Sequence, residues 1–280
     1  MERYVQIRVV GRGSFGAVHL CTRQADCKPV IVKSIPVEQI SAKDLVAARN
    51  EVRVLSMLTH PCIVRYLDSF HEDSVFSIVM EFASGGTLQE FIARRDGRLL
   101  PQKSVLHLFC QAVLAVQHVH SHRILHRDLK TANIFLTGGP ACVVKVGDFG
   151  ISKVLSSRSS ASTVVGTPCY MSPELCQGQH YNAKSDIWAL GCVLYEMLTL
   201  RKAFQAPTLA ALVMKIMQGS YMPVDGGQYD SCLLQLLSSM LSYNPAHRPA
   251  ADQIMAHVAV VPTLYSLYVD LGAIITTVGD

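Results

Sequence analysis

His126-Arg127-Asp128-Leu129-Lys130-Thr131-Ala132-Asn133 is followed by Asp148-Phe149-Gly150, with two short apolar runs between them at Ile134 to Leu136 and Val143 to Val146. Those runs read as a pair of short strands. Two carboxylates, a carboxamide and a lysine therefore flank one strand pair. Helical signals surround it. Before it, Ser104 to His122 carries Val105, Leu108, Val113, Val116 and Val119 at helical spacing. After it, Lys184 to Leu200 and Leu209 to Gln218 read as helices, and few strands remain.

The first third is different. Residues 4 to 35 alternate apolar and polar, with Gly11, Gly13 and Gly16 as punctuation, and read as strands. Leu45, Val46, Val52, Leu55 and Leu58 predict a helix from Ser41 to Leu58, and Ile63 to Glu81 returns to strand-like runs. Ala83-Ser84-Gly85-Gly86 is a short flexible crossing. A strand-rich part joined through glycines to a helix-rich part predicts two lobes with a cleft, and ligands favour such junctions.

Gly11-Arg12-Gly13-Ser14-Phe15-Gly16 would let backbone N–H groups approach phosphate oxygens. A dinucleotide site needs the last glycine to open a helix. Here Ala17-Val18-His19-Leu20-Cys21 reads as a strand, so the loop is a hairpin over phosphates. Val30-Ile31-Val32-Lys33 follows, an apolar strand ending in a lysine placed to bind phosphate as a point charge. Glu51 is its natural orienting carboxylate.

Composition narrows the function classes. Of 280 residues, 50% are hydrophobic and 16% charged, which excludes intrinsic disorder. A net charge of +4 is too mild for a nucleic-acid surface. The nine cysteines are scattered and form no CxxC pair, against structural zinc and in favour of reduced thiols in the cytosol. The N-terminus lacks the apolar core of a secretory signal. Val258 to Val278 is apolar but holds Pro262 and Asp270, so it reads as a closing helix and tail, not a membrane span. No internal repeat is visible.

Glycine loop, strand lysine, helix glutamate, HRDLKxxN and DFG occur here in order, and together they resemble the protein-kinase signature set. Ser172-Pro173-Glu174, Asp186-Ile187-Trp188-Ala189-Leu190-Gly191 and Arg248 extend the match over residues 4 to 260. The resemblance implies an α+β, bilobal protein-kinase fold: a small, mainly β N-lobe with one key helix, and a larger, mainly helical C-lobe. It implies a kinase domain over 1–262 (N-lobe 1–80, hinge 81–86, C-lobe 87–262) and a tail over 263–280. Catalysis of phosphoryl transfer is positioning plus charge neutralisation. Asp128 would be the base orienting the substrate hydroxyl, with Lys130 offsetting charge on the transferred group. Lys33, oriented by Glu51, would hold the α/β-phosphates of ATP, and Asn133 and Asp148 suit Mg²⁺. Val10, Gly11, Gly13, Gly16, Val18, Ile31, Met80, Glu81, Ala83 and Phe135 would surround the nucleotide, Met80 as gatekeeper. Isoleucine at 31, where most kinases have alanine, implies altered inhibitor fit.

Lys130, and Thr167 in Gly166-Thr167-Pro168, resemble serine/threonine kinases, and the β-branched Ile151 after the DFG tends to accompany threonine acceptors. Val165 to Glu174 and Tyr181 to Cys192 resemble the NIMA-related (Nek) kinases. Arg8 to Gly13 and Ile35 to Gln39 resemble the ciliary members, which carry an RCC1-like propeller absent here. Protein substrates with Ser/Thr acceptors, ciliary or centrosomal partners, and a cytoplasmic, ciliary, centrosomal or cytoskeletal location follow from that likeness. Thr163, four before Thr167, stands where relatives are phosphorylated, with Arg127 and Lys153 as expected phosphate partners. Glu174 and Arg248 should form a buried ion pair and Asp186 should brace the His126–Arg127 turn. Leu55, Tyr66, His126 and Phe149 fall on the family's spine. His118, His120 and His122 lack metal-site spacing with acidic partners. The rivals are a pseudokinase-like scaffold, which loss of Lys33, Asp128, Asn133 or Asp148 would favour, and a small-molecule kinase, which the Asp148 to Glu174 segment disfavours.

Overall fold

The computed structural model describes residues 3–13, 16–37, 52, 55–139, 142–149 and 168–277. Glu51, Gly150, Ile151, Lys153, Thr163, Thr167 and most of the helix expected from Ser41 to Leu58 lie outside them. The described residues fall into two compact units, one up to Ser84 and the other from Gly85.

The first unit is built on five strands: β1 (Tyr4–Gly13), β2 (Gly16–Arg23), β3 (Lys28–Pro36), β4 (Tyr66–Glu72) and β5 (Val75–Glu81). They form one antiparallel sheet in the order β1-β2-β3-β5-β4. Alternation along each strand sends successive side chains to opposite faces. On one face Cys21, Val30, Val32 and Val79 are buried with Tyr4, Leu67 and Phe70 against them. On the other, Ile35, Phe76 and Ile78 pack with Val52, Leu55, Tyr66 and Met80.

The second unit is mainly helical: α1 (Leu88–Ala93), α2 (Gln102–Ser121), the single turn α3 (Pro173–Cys176), α4 (Ala183–Thr199), α5 (Leu209–Gln218), α6 (Ser231–Met240), α7 (Ala251–Met255) and α8 (Val261–Thr277). A two-stranded antiparallel hairpin, β6 (Ile134–Leu136) and β7 (Val144–Val146), interrupts them. Every residue of α4 from Ser185 to Leu198 is buried, the pattern of a helix surrounded by protein. Asn182 starts it, its side chain accepting from the Lys184 N–H. Close packing requires Gly191: a Cβ there would stand 3.0 Å from Leu241 and 3.1 Å from Met240 at the end of α6. The apolar segment after Val258 is helical as α8, and no helix among the described residues is long and apolar enough to cross a membrane. The α+β division follows the sequence expectation, with β7 starting at Val144 rather than Val143.

Candidate active site

Within the second unit a short 3₁₀ turn, Thr131–Asn133, delivers Asn133 to the start of β6. The Gly147 N–H donates to the Asn133 carbonyl at 3.0 Å, which places Asp148 at the same end of the hairpin. Asn133 Nδ2 donates to the backbone oxygen and to Oδ2 of Asp128, both at 2.8 Å. Lys130 Nζ reaches the same Oδ2 at 2.7 Å. Asp128, Lys130 and Asn133 thus form one charged cluster, with an exposed Asp148 beside it. Phe135 lies half-buried on β6 and pairs with Thr87. Arg127 and Asp148 have φ of 68° and 50°, left-handed conformations that cost a non-glycine residue free energy and cluster at functional sites.

What holds that strained turn is Asp186. Its Oδ2 accepts from the His126 N–H at 2.9 Å and its Oδ1 from the Arg127 N–H at 3.0 Å. His120 Nε2 contacts Oδ2 at 2.8 Å, and the Tyr181 hydroxyl donates to Oδ1. Burial alone would raise the Asp186 pKa, but the hydrogen bonds from His120 and Tyr181 help outweigh it and the carboxyl is held below its usual range. The brace expected from sequence is present. The His120 contact was not readable from sequence: Asp186 is 66 residues away in the chain, so no local spacing reveals it.

His126 is fully enclosed, and that burial pushes its pKa down, favouring the neutral ring. Nε2 meets the Gly147 carbonyl at 3.1 Å, which can only accept, so the proton sits on Nε2. Nδ1 then accepts the Asp128 N–H at 3.3 Å. The ring also packs on Phe149, centroids 4.6 Å apart. It is a packed histidine that ties the Asp128 turn to the end of β7.

One network was invisible in the sequence. Glu196 on α4, only 4% exposed, accepts from Lys202 Nζ at 2.8 and 2.9 Å and from the Tyr170 hydroxyl at 2.5 Å. The Thr131 hydroxyl joins it, 2.9 Å from the Tyr170 oxygen. Burial, then the Glu196 charge, raises the Tyr170 pKa strongly, so the phenol keeps its proton and donates. This network links the segment before α3 to the turn that carries Lys130.

The first unit carries the remaining candidates. In the sheet register Val18 opposes Lys33, Lys33 opposes Ile78, and Ile31 opposes Met80. Gly11 opposes Val18, so Gly11, Val18, Ile31, Lys33 and Met80 share one face. Val18, Ile31, Lys33 and Met80 are all half-buried there. Gly13 and Gly16 oppose each other where β1 turns into β2, and Val10 is exposed on β1. Glu81 and Ala83 lie at and just past the end of β5; Glu81 Oε1 accepts from the Arg65 N–H at 2.7 Å.

Residues 4–260 match the protein kinase domain family. The chain belongs to the protein kinase family. Among curated proteins it is 53% identical over 272 residues to the serine/threonine-protein kinase Nek8 of Danio rerio, covering 97% of this chain and 39% of that one. It is 41% identical over 283 residues to nekl-2 of Caenorhabditis elegans, covering 98% and 79%. With mouse Nek1 the identity is 44% over 256 residues, 91% of this chain and 21% of that protein. The chain thus groups with the NIMA-related (Nek) kinases and spans about two fifths of the zebrafish relative's length. The family implies ATP and a divalent metal. The residues fit one: Asn133, with its amide nitrogen turned to Asp128, and Asp148 at the same hairpin end offer hard oxygen donors, and Mg²⁺ needs few from protein because it keeps waters and phosphates.

Proposed function

We propose that this chain is an active protein serine/threonine kinase that transfers the γ-phosphoryl group of MgATP to Ser or Thr hydroxyls of proteins. The observation that carries the reading is the convergence of Lys130 Nζ and Asn133 Nδ2 on one oxygen of Asp128, at 2.7 and 2.8 Å. Two donors fix that carboxylate, so it orients an acceptor hydroxyl without first reorganising. Lys130 then neutralises charge on the group in transit. Asn133 and Asp148 hold the Mg²⁺, which when bound offsets phosphate charge. Lys33, with Glu51 as its orienting partner, takes the α/β-phosphates. Val10, Gly11, Gly13, Gly16, Val18, Ile31, Met80, Glu81, Ala83 and Phe135 bound the nucleotide. The kinase domain runs over 1–262, followed by a tail. Phosphorylation of Thr163 raises activity by pairing with cations, and the motifs shared with ciliary relatives support a cytoplasmic chain with ciliary or centrosomal partners.

The presence of Lys33, Asp128, Asn133 and Asp148 together speaks against a scaffold-only reading. Labelled-ATP phosphorylation by purified protein, beside Asp148→Ala, tests the proposal. Transfer should fall at least a hundredfold in the variant. Equal signal from both proteins would remove the enzyme reading.

A further inference from the structure

A cavity of about 480 Å³ opens beyond the end of α4, lined among others by Glu196, Leu200, Arg201, Lys202, Lys215 and Tyr221. Three cations face one carboxylate, and that carboxylate is already engaged. Glu196 takes Lys202 on both oxygens and the Tyr170 hydroxyl on one. Lys215 Nζ donates to the Gln205 carbonyl at 2.8 Å, a neutral acceptor, and makes no ion pair among the described residues. Arg201 is exposed and makes no ion pair among the described residues. A cationic side chain entering here would meet Arg201 and Lys215 and find Glu196 taken. An anionic one would offset part of that positive excess, with Leu200 and Tyr221 as an apolar wall for its stem.

The cavity is also joined to the proposed catalytic turn. Lys202 contacts the Tyr170 hydroxyl, which lies 2.9 Å from that of Thr131, and Thr131 directly follows Lys130. This chain of contacts ties the opening to the turn that carries Asp128 and Lys130.

We propose that this cavity receives an anionic side chain of the protein substrate, so that the kinase selects acceptor sites flanked by a carboxylate or a phosphorylated residue. The inference rests on the kinase reading above. Charge pairs at a half-open site give modest, salt-sensitive gains, which here means about two- to fivefold in kcat/KM.

The test uses peptides sharing one acceptor, with Ala, Glu, phosphoserine or Arg at each flanking position in turn. At one position Glu or phosphoserine should exceed Ala by about two- to fivefold, and Arg should fall below it. Whichever anion gains more identifies carboxylate or phosphate as the chemistry. In the Arg201→Glu/Lys215→Glu double variant, both side chains being exposed, the order should reverse. Arg equal to or better than Glu at every position, or an unchanged preference in the double variant, would overturn the proposal while leaving the kinase reading intact. Failure to phosphorylate any peptide, the Ala series included, would remove both.

Discussion

Arg248 is completely buried, and each of its five N–H groups has an acceptor. Nη1 donates to Glu174 Oε1 at 2.8 Å and to the Lys184 carbonyl at 2.9 Å; Nη2 donates to Glu174 Oε2 at 2.8 Å and to the Tyr243 carbonyl at 3.0 Å. Nε donates to the Ser242 carbonyl at 2.8 Å, and the guanidinium lies over the Trp188 ring. Breaking such a pair leaves a buried charge alone, which costs about 3–5 kcal/mol. Burial alone would raise the Glu174 pKa, but the hydrogen bonds from Arg248 and Ser185 pull it from 4.5 to about 2. A depressed folded-state value means stabilisation that is complete above the unfolded pKa and fades as pH falls through the folded one. The pair should therefore contribute about 3 kcal/mol above pH 4.5 and lose it towards pH 2. Denaturant unfolding at stepped pH should show wild type well above Glu174→Gln at pH 6 and the gap narrowing through that window. A gap independent of pH would refute the assignment.

At the scale of elements, two glycines of one motif separate by what surrounds them. Gly16 opens β2 at φ 149°, and a Cβ there would fall 1.8 Å from the Ser34 carbonyl oxygen and 2.9 Å from its carbon. That backbone belongs to β3, so an added methyl must push the paired strands apart. Gly11, opposite Val18, would place a Cβ 4.0 Å from the nearest side chain, ordinary contact. Gly16→Ala should cost about 1–3 kcal/mol and raise KM for ATP, whereas Gly11→Ala should leave stability nearly unchanged. Equal melting temperatures for the two variants would contradict this. The sequence shows these glycines but not their difference, because Ser34 reaches Gly16 only through strand pairing. The long helices were legible to within about two residues because their apolar stripes repeat over several turns. Helices α1 and α7 are too short for such periodicity, and the stripe of α6, Leu233, Leu236, Leu237 and Met240, spans only ten residues. Likewise the Asp128–Asn133 cluster is local and readable. The Thr131–Tyr170–Glu196–Lys202 network and the His120–Asp186 contact depend on residues up to 66 apart, which no motif spacing encodes.

Across the whole molecule the nine thiols offer a readout that owes nothing to catalysis. All nine are free; five (Cys21, Cys62, Cys110, Cys169 and Cys192) are buried, three are intermediate and Cys27 alone is exposed. Only a thiolate attacks a thiol reagent, so reactivity needs both access and ionisation. Burial raises the pKa of Cys21 and Cys169, pushes Cys110 up to about 12 and raises Cys192 further, so access and ionisation fail together inside. Native protein at pH 7.5 should react quickly at Cys27, more slowly at Cys142, Cys176 and Cys232, and at the other five only as the unit holding each opens. Denaturant should release all nine, and a reductant should leave the melting temperature unchanged because no disulfide contributes to it. Cys21 and Cys62 report on the sheet unit, and Cys110, Cys169 and Cys192 on the helical one, so mass-resolved labelling gives each unit its own opening free energy. A buried cysteine labelled as fast as Cys27 in native protein would mean that the packing around α2 and α4, or around the sheet, differs from that described.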